Sequence, residues 1–310
     1  MKDTVLYLQN HEIDKLKWDQ CIEDAPNGLI YASSSYLDYI CGTWDAVVIN
    51  DYEAVMPLPW RKKFGIQYLY QPPFIQQLGL VFKEERFKNF LHQALDVVID
   101  KIKFGDHPFN FNNDAGKFHV RQNFILNLSH DYENLSSHYS NNLKRNLNQP
   151  GKHNLQLSSS DDIENAIELF IDLYASRIKH ITKKDYRQLK HLCNILLKED
   201  KLIIREAIDE QGNILAANLC VKDSKRLYLI LPSTTPAGRK KEASHFLLDQ
   251  MIKEYAGNNM IFDFEGSDIP GIAYFYQGFG AINQPYYFYH WNQLPYPARL
   301  IKEGIDKIRS

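Results

Sequence analysis

The sequence predicts a mixed α/β chain built from two tandem copies of one domain type. Three observations carry that expectation. The chain has 310 residues, about twice the length of an ordinary domain. Its apolar residues alternate between helical and strand spacing from end to end. The order of predicted elements in the first half then returns in the second, a repeat of architecture rather than of letters.

In the first half, Val5–Gln9 reads as a short strand. Glu12–Glu23 reads as a helix, with Ile13, Leu16, Trp18 and Ile22 apolar among charges. Ser33, Ser34 and Ser35 offer a start for a helix through Cys41. Trp44–Asn50 and Glu53–Trp60 have the pattern of a hairpin turning near Asp51 and Tyr52. The basic run Arg61, Lys62, Lys63 breaks that pattern, and a strand resumes at Ile66–Tyr70. After a loop over 71–79, Glu84–Lys103 spaces Phe87, Phe90, Leu91, Leu95, Val98 and Ile102 as one long helix. Asn110–Asn112 and Phe124–Leu128 are expected to close the half as strands.

The second half is expected to open with a helix over Asp161–Ile178, capped by Ser160 and Asp161. A second helix follows over Asp185–Lys198. Leu202–Asp209 and Ile214–Lys222 form a hairpin about residues 210–213, and Arg226–Leu231 is the next strand. Then come the loop Pro232–Gly238, a helix Glu242–Tyr255, a strand Met260–Phe264, a short helix Gly271–Gln277 and a strand Pro285–Trp291. Pro295–Arg309 reads as a closing helix. The Pro150-Gly151 pair marks the expected boundary, giving domains over 1–150 and 151–310.

Composition narrows the function. Hydrophobic residues make up 44 % and charged residues 24 %, the balance of a chain that buries a core. A formal charge of −2 gives no global attraction to nucleic acid or anionic membrane. The N-terminal residues lack the apolar run of a signal peptide, and no stretch approaches a membrane span. A cytoplasmic location is therefore expected. Cys21, Cys41, Cys193 and Cys220 form no C-x-x-C pair and have no zinc-ligand spacing, so reduced thiols and no metal are expected. The nucleophile-elbow, P-loop and zincin motifs are missing.

Four stretches carry a resemblance: MPLPWRKKFGIQYLYQPPFIQQLG (56–79), SNNLKRNLNQ (140–149), TTPAGRKKEASHFLLDQ (234–250) and FDFEGSDIPGIAYFYQGFGA (262–281). In these the chain resembles the tandem GNAT-fold, Fem-like acyltransferases and aminoacyltransferases. The last stretch is the most specific, through D-F-x-G-S followed by F-x-x-x-F-G. The resemblance implies two GNAT-like domains, each with a sheet splayed between its fourth and fifth strands. It implies transfer of an acyl or aminoacyl group to an amine, with a small molecule or a cell-wall precursor as acceptor. Acyl-CoA or aminoacyl-tRNA would be the co-substrate, so tRNA is a further expected partner, and no cofactor would be tightly bound. Two positions depart from the Fem pattern. Tyr276 stands where the F-K-x-x-F-G lysine would be, and Tyr36–Ile40 has no phosphate-contacting lysine. Both count against tRNA-dependent cell-wall transfer. They leave open a second class, a catalytically degenerate tandem GNAT that binds a ligand or acts as a scaffold.

Candidate site residues follow. In GNAT domains an R/Q-x-x-G-x-G/A loop turns backbone N–H groups toward the donor pyrophosphate at a helix N-terminus. Gly238, Arg239, Lys240, Lys241 and Ser244 are the corresponding donor-binding candidates, with Glu242 where a glycine is wanted. The alternative is a solvated basic helix cap. Gln71, Gln76 and Gln77 follow the strand that would border the first splay, and their amides suit a sugar, peptide or amide acceptor. A rigid structural loop is the other reading. Arg177 is a candidate clamp for a carboxylate or phosphate, or a cation at a helix C-terminus. Strand alternation places Asp263 and Glu265 on one face, opposite Phe262 and Phe264. A carboxylate there would deprotonate an attacking ammonium, with Asp263 ahead of Glu265, and Tyr274 or Tyr276 would donate to the developing oxyanion. A turn-capping Asp and packing tyrosines are the structural alternative. The expected mechanism is direct attack of the amine, without a covalent enzyme intermediate.

Overall fold

The computed structural model describes residues 3–148, 154–178, 180–266, 268–296 and 299. Along the chain run β1 (Val5–Leu8), α1 (Lys15–Asp24), α2 (Ser34–Ile40), β2 (Trp44–Ile49), β3 (Ala54–Lys63), β4 (Ile66–Leu69), β5 (Val81–Phe82), α3 (Leu91–Lys101), β6 (Phe104–Phe109), β7 (His119–Arg121), β8 (Phe124–Asn127), α4 (Tyr132–Ser137) and α5 (Asn141–Leu147). They are followed by β9 (Gln156–Ser160), α6 (Ile163–Tyr174), α7 (Lys183–Lys198), β10 (Leu202–Ile208), β11 (Ile214–Lys222), β12 (Arg226–Thr234), α8 (Pro236–Lys240), α9 (Ala243–Tyr255), β13 (Ile261–Asp263), α10 (Pro270–Gln277), β14 (Ile282–Asn283) and β15 (Tyr286–Asn292). The mixed α/β class expected from the sequence is the one observed. The closing helix expected over Pro295–Arg309 and the Pro150-Gly151 boundary lie outside the described residues, Pro295, Tyr296 and Arg299 apart.

The chain forms two compact units. One holds residues up to Val120 together with the segment from Tyr286 onward, and the other holds Arg121–Pro285. The division therefore differs from the expected 1–150 and 151–310. Its cause is an exchange of strands. β8, from the first half of the sequence, pairs antiparallel with β13 in the second sheet. β15, from the second half, pairs antiparallel with β6 in the first. Neither strand closes its own half as expected.

In the first unit the sheet order is β1-β2-β3-β4-β6-β15-β7, with β5 beside β3. All six residues of β2 are buried. α3 buries Leu91, Ala94, Leu95 and Val98, the i, i+3, i+4, i+7 stripe of an amphipathic helix. The single long helix expected over Glu84–Lys103 is a 3₁₀ segment, Glu85–Phe90, leading into α3. The strand expected at Asn110–Asn112 lies earlier, as β6. Asn27, Asn110 and Asn113 are buried instead, and their side chains bond the backbone of residues 78–82. Asn27 and Asn113 each donate to the Leu80 carbonyl at 2.9 Å, and Asn113 accepts from Leu80 N–H at 2.7 Å. Side-chain amides there do the work of a neighbouring strand, as buried peptide groups require. β4 and β6 run parallel and are paired at Leu69 and Gly105.

In the second unit the order is β14-β8-β13-β12-β11-β10-β9. Its core includes Leu227, Leu229, Leu247, Leu248, Met251, Phe262, Phe264 and Phe279. Asp162 caps α6 by accepting from Asn165 N–H, and Thr182 and Asp185 form a capping box at α7. The parallel pair β12 and β13 is in register from Arg226 opposite Ile261 to Tyr228 opposite Asp263. β12 then continues to Thr234 with no strand partner on that side among the described residues. This is the splay between fourth and fifth strands that the sequence resemblance implied.

Candidate active site

Beside the free stretch of β12 the second unit encloses a cavity of about 490 Å³. The backbone explains why it opens there. A bulge at Ile230 shifts the register between β11 and β12, so Leu219 faces Leu231 while Cys220 faces Leu229. One extra residue reverses the inside-outside alternation, and Leu229, Pro232 and Thr234 all line the cavity. Pro232 pairs with Asn218 and has no N–H to offer the ladder. α6 contributes Phe170 and Tyr174, and α10 contributes Ile272, Phe275 and Tyr276. The Tyr174 hydroxyl accepts from Thr234 N–H at 3.3 Å. These walls are mainly aromatic and aliphatic, with a few converging polar groups, the usual make-up of a small-molecule site.

The polar end is built by α8 and the start of α9. Arg239, Glu242, Ser244 and His245 line it. Arg239 has no side-chain partner among the described residues, and α9 receives no side-chain N-cap. A 13-residue helix thus presents uncapped first-turn N–H groups beside a free guanidinium. Glu242 adopts φ 55, the left-handed conformation that favours glycine. The glycine expected at this position is thus wanted for backbone shape as well as for space. The Glu242 carboxylate folds back to His245, with Oε2 2.7 Å from Nδ1. Burial lowers the His245 imidazole below the usual range, and Glu242 opposes that shift.

Three of the expected site residues, Arg239, Ser244 and Tyr276, meet at this cavity. Burial holds the Tyr276 hydroxyl well above the ordinary phenol range, and the nearby Glu265 carboxylate adds to the shift. Glu265 itself is half-buried, but not through strand alternation. β13 ends at Asp263, and Glu265 has φ 57.

The remaining candidates sit elsewhere. Asp263 is fully buried and does not line the cavity. Its Oδ2 accepts from Arg226 Nη1 at 2.8 Å and its Oδ1 from Glu265 N–H at 3.0 Å. Burial raises this carboxyl, and the Arg226 guanidinium opposes the rise. Tyr274 points to solvent, 63 % exposed. Ser267 of the D-F-x-G-S motif lies outside the described residues. Gly238 is required by packing: a Cβ there would lie 2.0 Å from the Leu215 carbonyl oxygen. Its N–H is already used, donating to Thr235 Oγ1 at 2.9 Å. Lys241 pairs with Asp209 at 3.6 Å, and Lys240 is exposed. Arg177 is exposed beyond the end of α6, between two cavity residues, Tyr174 and Ile178, and is not itself in the wall.

In the first unit, the loop glutamines hold the loop together. Gln71 donates to the Ile75 carbonyl at 3.1 Å, and Gln77 donates to Gln76 Oε1 at 2.7 Å while accepting from Phe111 N–H at 3.1 Å. The structural reading of that loop accounts for these contacts. His245, Asn218 and Tyr174 are cavity residues that the sequence did not single out. His245 sits one turn into a predicted helix, and only its place next to the Glu242 position signals it.

Among the described residues, no group of His, Cys, Asp and Glu is placed to hold a metal ion, and no helix is long and apolar enough to cross a membrane. Residues 137–276 match the acetyltransferase (GNAT) domain family. The structure of FemX aligns with TM-score 0.68 at 13 % identity, covering 94 % of this chain and 98 % of that one. L-PGS from Bacillus licheniformis aligns with TM-score 0.55 at 14 % identity, covering 93 % and 95 %. A tandem GNAT protein from the clavulanic acid biosynthesis pathway aligns with TM-score 0.51 at 11 % identity, covering 95 % and 99 %. No curated protein matches the chain.

Proposed function

We propose that the chain transfers an acyl group from an activated donor to an amine, and that the donor binds in the cavity of the second unit; the match of residues 137–276 to the acetyltransferase (GNAT) domain family and the tandem GNAT fold support the reading. The observation that carries the reading is the meeting of Arg239, the uncapped first turn of α9 and Tyr276 around one cavity at the β12/β13 splay.

Each group has a role in that reading. Arg239 and the α9 amides hold an anionic part of the donor, a phosphate of acyl-CoA or of the 3′ end of aminoacyl-tRNA. Phe170, Tyr174 and Phe275 enclose its apolar portion. The Tyr276 hydroxyl, kept protonated by its surroundings, donates to the oxyanion as the amine adds to the acyl carbon. Ser244 offers a neutral hydrogen bond at the same end. A small amine or a cell-wall precursor is the acceptor class. Glu242 places a negative charge at the anion-binding end, which favours a donor with few charges there.

The test is acyl transfer from acetyl-CoA and from a 3′-O-aminoacyl adenosine 5′-monophosphate to a panel of amines. Arg239→Ala is expected to lower kcat/KM about 10- to 100-fold, the weight of a charge-assisted contact. Tyr276→Phe is expected to lower kcat about 10²-fold, while Tyr274→Phe leaves it unchanged. Equal rates in all three variants would sink the assignment. Binding without any turnover would place the chain in the ligand-binding class instead.

A further inference from the structure

A row of polar side chains runs from α5 to the cavity, and the roles above leave Asn146 and His245 unused. Asn146 Nδ2 lies 3.4 Å from His245 Nε2, and His245 Nδ1 lies 2.7 Å from Glu242 Oε2. An amide N–H donates, so Nε2 is the accepting nitrogen. The ring proton then sits on Nδ1, 2.7 Å from the carboxylate as a charge pair but off the line of a hydrogen bond. His245 and Glu242 line the cavity. Asn146 comes from α5, which Ser140 caps and whose Leu143 and Leu147 pack into the core of the second unit.

From this geometry we propose that Asn146, His245 and Glu242 form a proton relay of the second unit's cavity, in which His245 takes the proton released when an amine attacks the acyl carbon. The inference rests on the acyl-transfer reading of that cavity. The amine nitrogen uses its lone pair to form the C–N bond, and the C–S or C–O bond to the leaving group breaks with the electron pair going to sulfur or oxygen. The surplus N–H proton passes to His245 Nε2, directly or through one water. At 3.4 Å the Asn146 contact is the weaker of the two, and it is the one that the incoming group replaces. Glu242 holds the imidazolium, and the proton then leaves for the thiolate or alkoxide, restoring the neutral ring.

The surroundings suit that cycle. α10 presents the ring of Phe275, and Phe279 follows it just past the helix end, at 4.8 and 6.4 Å from the imidazole. α5 presents the neutral Asn146, while its cations are turned elsewhere: Lys144 to the Ser137 carbonyl and Arg145 to Asn142. Arg239 lines the same cavity, and Glu242 is the charged group that acts on the ring. Burial keeps the imidazole neutral and able to accept near pH 7. Asp263, locked to Arg226, needs no part in the step.

The deciding experiment is long-range ¹H–¹⁵N NMR of the histidine side chains across a pH series, with His245 assigned by the signal lost in His245→Gln. The expected result is the Nδ1–H tautomer at neutral pH, a lower titration midpoint in Glu242→Gln, and a shift toward the Nε2–H tautomer in Asn146→Ala. An Nε2–H ring in the unaltered protein, or a midpoint that Glu242→Gln leaves in place, overturns the relay. In the transfer assay His245→Gln is expected to lower kcat about 10²–10⁴-fold, with KM little changed and the acidic limb of the rate profile lost. Full turnover with an unchanged profile also overturns it. Should Arg239→Ala leave acetyl-CoA binding untouched, the donor-site reading fails and the tautomer measurements still decide the relay. If Arg239→Ala acts as expected but His245→Gln turns over normally, the relay fails alone. Should His245→Gln not fold, Glu242→Gln and Asn146→Ala carry the decision.

Discussion

Arg226 and Asp263 meet across the parallel pair β12 and β13 at 2.8 Å, with side-chain exposures of 5 % and 1 %. The second arm of the guanidinium donates to Gln284 Oε1 at 2.9 Å. A carboxylate so enclosed anchors the base of the splay and has no route to a substrate amine. Asp263→Asn leaves the Arg226 charge uncompensated in the interior, a loss of about 3–5 kcal/mol. Urea denaturation is expected to show that loss, while turnover per folded molecule stays near the unaltered value. The opposite pattern, normal stability with turnover lost, would restore Asp263 as the proton acceptor.

Gly238 separates two reasons for a glycine in α8. Its N–H is bonded to Thr235, and the Leu215 carbonyl fills the space of a side chain. Gly238→Ala is therefore expected to cost about 1–3 kcal/mol, as overpacking does, and to shift the thermal midpoint accordingly. A variant that folds as stably as the parent but binds acetyl-CoA poorly would show that the glycine serves the phosphate after all.

His107 on β6 is buried against Phe109, and neither ring nitrogen has a hydrogen-bond partner among the described residues. Burial pushes its imidazole down to about 3. The unfolded chain, with an ordinary histidine near 6.5, then binds more protons than the folded one as pH falls. Stability is present above the unfolded value and is lost between pH 6.5 and about 3, by about 1.4 kcal/mol per pH unit from this group. Denaturation at pH 6.5 and 4.5 checks it, with His107→Leu removing that share of the slope. An equal slope in both proteins would mean that the imidazole titrates normally.

Local chemistry made much of the fold legible. The hairpins β2/β3 and β10/β11, the stripe of α3 and the helix α10 follow from spacing, turn residues and caps. The exchange of β8 and β15 between sheets was not legible, because strand pairing at long range leaves no trace in either strand's own alternation. Asn27, Asn110 and Asn113 misled in a similar way, since side-chain amides bonding residues 78–82 took the place of a strand. At the site, the α8–α9 loop and Tyr276 were visible through their motifs. The enclosure of Asp263 was not legible, because alternation shows which residues share a face but not that Arg226 closes over one of them. Glu265 fell outside the alternation entirely once its backbone turned left-handed.

The account stands on the second unit's cavity being where the donor binds. The most direct measurement is methyl NMR of the full chain titrated with acetyl-CoA and, separately, with a 3′-O-aminoacyl adenosine 5′-monophosphate. The expected result is saturable shifts at Ile178, Leu229, Leu248 and Ile272, which line the cavity, weakened in Arg239→Ala, with the first-unit core residues Leu69 and Val98 unmoved. Shifts confined to the first unit with either donor, or none at the four cavity residues, would contradict it.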